Sequence, residues 1–328
     1  MMKTAFKFLK YPLVAAFLIA TVSCSNDDDN NGTADATIAV LAQGSADLTI
    51  LVDALERADL VDVLNQSGNY TVFAPNNAAF SAFLSANGFA SVDEVPVNVL
   101  TNILLNHVIN EEFTATEFIT AGAGYESTLA ENADGDNLSI YYRANAGTVT
   151  LNGISDVVSG GANIEATNGI IHIVDAVIGL PTVVTFATAD PTFEILVSAL
   201  TREDEFTFVE TLSTPAGTVP APFTVFAPTN DAFVSLLAEL SLTSLNDVPT
   251  ETLAATLTYH VVAQANVRST DLTDDFTVTT LGGNITADVT GGARLTDANE
   301  RVSNIVAVNV QAMNGVIHVI DKVILPPL

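Results

Sequence analysis

Basic residues are scarce in this chain: its 328 residues carry 10 Lys and Arg against 38 Asp and Glu, a formal net charge of −28. Three of the ten, Lys3, Lys7 and Lys10, precede the first acidic residue, Asp27; without that opening segment 7 basic residues face 38 acidic ones, a net −31. Lys322 is then the only lysine left. A chain so poor in cations has little with which to neutralise phosphates, which excludes nucleic acid as a partner and argues against adsorption to anionic head groups. Cysteine is also nearly missing: Cys24 stands alone, so no intrachain disulfide can form. Long apolar runs are absent too, since the stretch from Leu13 to Val22 is only about ten residues, half of what a spanning helix needs. What is present is a chain 48% hydrophobic, enough to bury the cores of two domains of roughly 145 residues each.

The organising stretch is Tyr70-Thr71-Val72-Phe73-Ala74-Pro75-Asn76, which returns as Phe223-Thr224-Val225-Phe226-Ala227-Pro228-Thr229. Each copy reads as a short buried strand, stopped by a proline without a backbone donor and followed by a helix capped at Asn76 or Thr229. Further landmarks recur in order. Ile50–Leu55 returns at Ile195–Leu200, 145 residues on; Asn106-His107 returns as Tyr259-His260, 153 on; and the run beginning Asn168-Gly169 returns as Asn314-Gly315, 146 on. A repeat of this length is a domain rather than a solenoid unit. In the first copy Leu48, Leu51, Val52, Leu55, Leu60 and Leu64 form a helical stripe, and the spacing predicts another helix over 97–109. From Thr128 the pattern changes to short alternating runs, with a hairpin turn signalled at Asn168-Gly169. Helices first and strands after read as α+β. The expected domains are 36–181 and 182–328, with little linker and limited motion between them.

These ordered landmarks, each present twice, resemble the signatures of the fasciclin (FAS1) domain, an extracellular adhesion module. The resemblance implies two tandem domains, each a seven-stranded β wedge or sandwich with helices packed on it, acting as a binding module without enzymatic activity. It also implies candidate binding residues at the Tyr-His landmark: Tyr259 and His260, with Asn106 and His107 as the weaker counterpart, since asparagine replaces the tyrosine there. A competing account of Tyr259 is packing with a buried hydroxyl hydrogen bond.

Residues 1–23 resemble a bacterial secretion signal. Thr21-Val22-Ser23-Cys24 resembles a lipobox, which would make Cys24 the acylated first residue of the mature chain and its membrane anchor. Residues 24–35 read as a disordered acidic tether. Within it, Ser25, Asn26, Asp27, Asp28 and Asp29 resemble the signal that sends some lipoproteins to the outer face of the outer membrane. The expected location is therefore the outer membrane, lipid-anchored and facing outward.

All four histidines lie in the landmarks, which invites a catalytic or metal reading. His172 and His318 nevertheless alternate onto apolar strand faces, and His107 and His260 onto apolar helix faces. No ligand spacing accompanies them, so hydrogen-bonded core residues are expected, with no metal, catalytic residue or cofactor. Asn132–Asn137 fails as a calcium loop, because Asn137 stands where glycine is needed and Arg143 where the bidentate glutamate belongs. The expected function is adhesion to an extracellular protein or glycan. The alternative is an envelope protein facing the periplasm that captures a small ligand or glycan in the crevice between its domains.

Overall fold

The computed structural model describes residues 36–327. The signal segment 1–23, Cys24, the export-signal residues Ser25 to Asp29 and the rest of the tether lie outside the described residues. The first repeat runs α1 (Ile38–Gln43), α2 (Thr49–Arg57), β1 (Tyr70–Pro75), α3 (Asn77–Ala86), α4 (Val97–Leu105), β2 (Val108–Ile109) and α5 (Ala115–Ala121). Its β half follows as β3 (Ala123–Glu131), β4 (Asn137–Asn145), β5 (Thr148–Leu151), β6 (Ser155–Asp156), β7 (Ile164–Ala166) and β8 (Gly169–Val174). The second repeat runs α6 (Val183–Ala189), α7 (Glu194–Leu200), α8 (Phe208–Leu212), β9 (Phe223–Pro228), α9 (Asn230–Glu239), α10 (Thr250–Thr258) and β10 (Val261–Ala263). It closes with β11 (Phe276–Thr280), β12 (Gly283–Asp288), β13 (Arg294–Thr296), β14 (Val302–Ala312) and β15 (Gly315–Ile320).

Each repeat is α+β, built round the repeated strand. In β1 the side chains alternate: Val72 and Ala74 join the cluster formed with α1, α2, α3 and α4, while Phe73 joins Phe118, Ile140, Tyr142 and Leu151 on the other face. β9 does the same, sending Val225 and Ala227 to the helices and Phe226 to the strand-side cluster. Burial on both faces explains why this stretch is apolar without interruption. The proline ends the strand, and the cap predicted after it forms: Asn76 Oδ1 accepts from Ala79 N at 2.8 Å and Thr229 Oγ1 from Ala232 N at 3.2 Å.

The first sheet has eight strands in the order β6-β5-β4-β3-β2-β1-β8-β7, and the second has seven in the order β10-β9-β15-β14-β13-β12-β11. Seven strands therefore describe only the second repeat. The extra strand arises because the single β14 corresponds to two short strands in the first repeat, β6 and β7. Between these, Gly160-Gly161 stands where the second repeat has Val306-Ala307. In both sheets the landmark strands are parallel neighbours, Tyr70 opposite Gly169 and Phe223 opposite Gly315.

Two local expectations are corrected. The helix expected over 97–109 stops at Leu105, because Val108 and Ile109 pair with Val72 and Thr71 in the sheet instead. The β-branched pair is worth more on the pleated surface than in another helical turn. The hairpin expected at Asn168-Gly169 has its turn one residue earlier, since Ala166 pairs with Gly169 and the turn residues are Thr167 and Asn168. Gly169 is thus the first residue of a strand, and its lack of a side chain has another cause. A Cβ there would lie 2.0 Å from Tyr70 O, and one at Gly315 2.1 Å from Phe223 O.

Candidate functional site

The repeated polar residues converge on backbone rather than on one another. His107 donates from Nδ1 to Ile103 O at 2.8 Å and accepts from Ile178 N at Nε2 at 2.9 Å. His260 repeats this with Thr256 O at 2.7 Å and Ile324 N at 3.2 Å. Each ring therefore ties the end of a helix to the strand exit that closes its repeat. Burial pushes both rings down to about 4, with the backbone acceptor opposing the shift only in part. They are neutral at physiological pH and hold no free lone pair for a metal or a proton in transit. His172 donates from Nε2 to Phe113 O at 2.9 Å and stacks on Phe73; His318 donates to Val267 O at 2.9 Å and stacks on Phe226. Burial lowers these two as well.

The candidate binding residues are not on the surface. Tyr259 and Asn106 are fully buried, His107 and His260 nearly so. The Tyr259 hydroxyl donates to Asn284 O at 2.5 Å and accepts from Ala298 N at 3.2 Å, and its ring lies among Phe226, Leu272, Ile285 and Leu295. Asn106 fills the same place in the first repeat with a different set of bonds, Nδ2 to Gly179 O at 3.1 Å and Oδ1 from Thr128 Oγ1 at 3.3 Å. A side chain at the end of a helix, enclosed by the sheet in front of it, cannot touch a large ligand. These four residues are buried and hold the elements around them.

Several repeated clamps have no counterpart in the sequence reading. Asn168 accepts from Ile38 N at 2.9 Å and donates to Leu64 O and Gln66 O, both at 2.8 Å. Asn314 does the same with Val183 N, Leu212 O and Thr214 O. Asn77 and Asn230 fasten α3 and α9 to the helices before them through Ile50 N and Ile195 N. Thr71 and Thr224 each bridge a loop carbonyl and a loop amide. Recurrence at the repeat spacing was the available signal for all of these.

Between the two repeats the contact is packed. Tyr125 and Tyr141 of the first join the second repeat's core, Tyr125 edge-on to Phe186 at 5.6 Å between ring centroids, and the Tyr125 hydroxyl donates to Asp190 at 2.9 Å. Ser139 Oγ accepts from Gln311 N at 3.0 Å, and Arg268 pairs with Asp136 at 3.2 Å. The buried Tyr141 and half-buried Tyr125 therefore fill the place where the alternative reading expected a crevice. Enclosed apolar voids of about 20, 40 and 80 Å³ lie within single repeats, below the roughly 150 Å³ that a benzene-sized guest occupies. Open grooves are larger: one of about 980 Å³ beside Arg57 and one of about 430 Å³ beside the equivalent Arg202. Among the described residues no group of three His, Cys, Asp or Glu is placed to hold a metal.

The Fasciclin domain family profile matches residues 46–181 and 191–326. Protein sll1483 of Synechocystis is 37% identical over 147 residues, which is 45% of this chain and 74% of that protein. Transforming growth factor-beta-induced protein ig-h3 of Sus scrofa is 26% identical over 261 residues, 79% of this chain and 35% of that larger protein. A FAS1 domain pair from the insect cell adhesion molecule Fasciclin I superposes with a TM-score of 0.53 at 20% identity, covering 84% of this chain and 97% of that one. The matching family is not a catalytic one. The two profile matches and the two α+β repeats joined through one packed contact make this chain a tandem-domain member of the fasciclin family.

Proposed function

We propose that the chain is a lipid-anchored, surface-exposed adhesive protein that binds an extracellular protein or glycan without chemical turnover. The observation that carries this reading is the fasciclin domain pair itself, matched in fold along most of its length by a pair from a cell adhesion molecule. At the Tyr-His landmark, His107 and His260 are saturated by backbone partners and stay neutral. Anchoring rests on Cys24 and outward display on the acidic run Ser25 to Asp29. The acidic surface favours solubility at a crowded boundary and excludes polyanions as easy partners.

Protease treatment of intact cells followed by immunoblotting tests the location, with a variant carrying Asp27→Ala, Asp28→Ala and Asp29→Ala alongside. Loss of the wild-type band with protection of the variant is expected. Protection of both would place the domains inside the envelope and defeat the adhesive reading.

A further inference from the structure

The two repeats carry the same arginine at the end of the same helix, 145 residues apart, and use it differently. In the second repeat Arg202 is saturated by its own chain: Nε donates to Glu203 at 2.8 Å, Nη1 to Leu245 O at 2.9 Å and Val248 O at 2.8 Å, and Nη2 to Thr250 Oγ1 at 3.1 Å. In the first repeat Ala58 replaces Glu203 and Val97 replaces Thr250, so two of those acceptors are gone. Arg57 keeps one hydrogen bond, Nη2 to Val95 O at 3.1 Å, and an ion pair with the exposed Asp93 at 3.7 Å, beyond hydrogen-bond reach. Its Nε is buried without an acceptor, while the side chain as a whole stays 28% exposed. The groove it lines is more than twice the volume of the one beside Arg202.

We propose that this first-repeat groove is the adhesive site and that it takes a neutral sugar residue of a glycan. The proposal rests on the adhesive reading above and names its ligand. Beyond the enclosed Nε, the guanidinium has at Nη1 only the 3.7 Å ion pair with Asp93, and an unmade bond to a charged donor is costly. Around it, the side chains of Asp53 and Glu56 from α2 make no hydrogen bond or ion pair to the described protein, and Ser81 and Ser85 stand one turn apart on α3. Phe89 adds an apolar face. A sugar hydroxyl both donates and accepts, so one ring can give its protons to Asp53 and Glu56, accept from Arg57 and lay its C–H face on Phe89. An anionic sugar would meet three carboxylates, Asp53, Glu56 and Asp93, for one cation; a cationic ligand would leave the arginine donors unmet.

The test is binding of the full-length protein to immobilised neutral glycans, uronate-containing glycans, a lysine-rich peptide and matrix proteins. Ser85→Trp fills the groove from an exposed position that carries no fold contact, and Arg57→Met removes the donors but keeps the stem. Asn246→Trp beside Arg202 is the control. Binding to a neutral glycan that drops tenfold or more in both first-repeat variants and not in the control supports the site. Neutral-glycan binding that persists in Ser85→Trp overturns it, as does binding confined to the uronate or peptide surfaces. Adhesion to matrix proteins alone overturns the site while the adhesive reading stands; adhesion to no surface overturns both.

Discussion

The Tyr259 hydroxyl and the His107 and His260 rings each satisfy two backbone groups that the fold has taken out of water. Replacing Tyr259 with Phe leaves Ala298 N and Asn284 O without their partner and is expected to cost about 1–3 kcal/mol, read as a lower urea midpoint. The histidines carry a pH signature. Their folded values are depressed, to about 4 against 6.5 unfolded, so the unfolded chain binds more protons between those values. The stability they lend is complete above pH 6.5 and is lost as pH falls toward 4. Carboxylate repulsion in so acidic a chain changes in the opposite sense, so the comparison must be a difference. The stability gap between wild type and His107→Gln is expected to narrow by about 2 kcal/mol between pH 7 and pH 4.5. A gap independent of pH would mean that the ring is not held neutral.

At the scale of elements, the parallel pairing of the two landmark strands depends on a residue with no side chain. A methyl at Gly169 would be driven into the Tyr70 carbonyl, and relief requires moving a strand buried on both faces. Gly169→Ala and Gly315→Ala are expected to destabilise by more than about 4 kcal/mol, in the range reserved for core disruption; circular dichroism and thermal melting would show it. Retention of the wild-type melting point would mean that the strands do not approach as described. This position also marks where sequence reading ran out. The proline stops, the caps at Asn76 and Thr229, the helical stripes and the apolar strand faces were legible because their causes lie within a few residues. The end of α4 was not, because Val108 and Ile109 answer to Thr71 and Val72, more than thirty residues away. Asn168 is the turn residue it looked like, but its clamp on Leu64 and Ile38 was hidden for the same reason. The arginines were missed because a lone charged residue has no period; only their equal spacing from the repeated landmarks singles them out.

At the scale of the whole molecule, the outer face of the first sheet is covered by the second repeat, and among the described residues the equivalent face of the second is not. Tyr125 and Tyr141 sit opposite one another across β3 and β4; the same ladder position across β11 and β12 holds Thr277 and Thr286. Aromatic anchors thus stand where the second repeat docks on the first, and threonines at the equivalent place of the second. The packed contact predicts one cooperative unfolding transition for the pair. Tyr125→Ala, which removes the ring on Phe186 and the bond to Asp190, is expected to split or broaden that transition in calorimetry; a wild-type endotherm would contradict the coupling.

If the repeated landmarks are scaffold, the proposed adhesion belongs to the surface they support. The most direct measurement is adhesion of beads coated with the full-length protein, wild type beside Tyr259→Phe, with the melting point of each recorded at the assay temperature. Equal adhesion with a lowered melting point is the predicted result. Lost adhesion with an unchanged melting point would contradict it and return the binding role to the landmark itself.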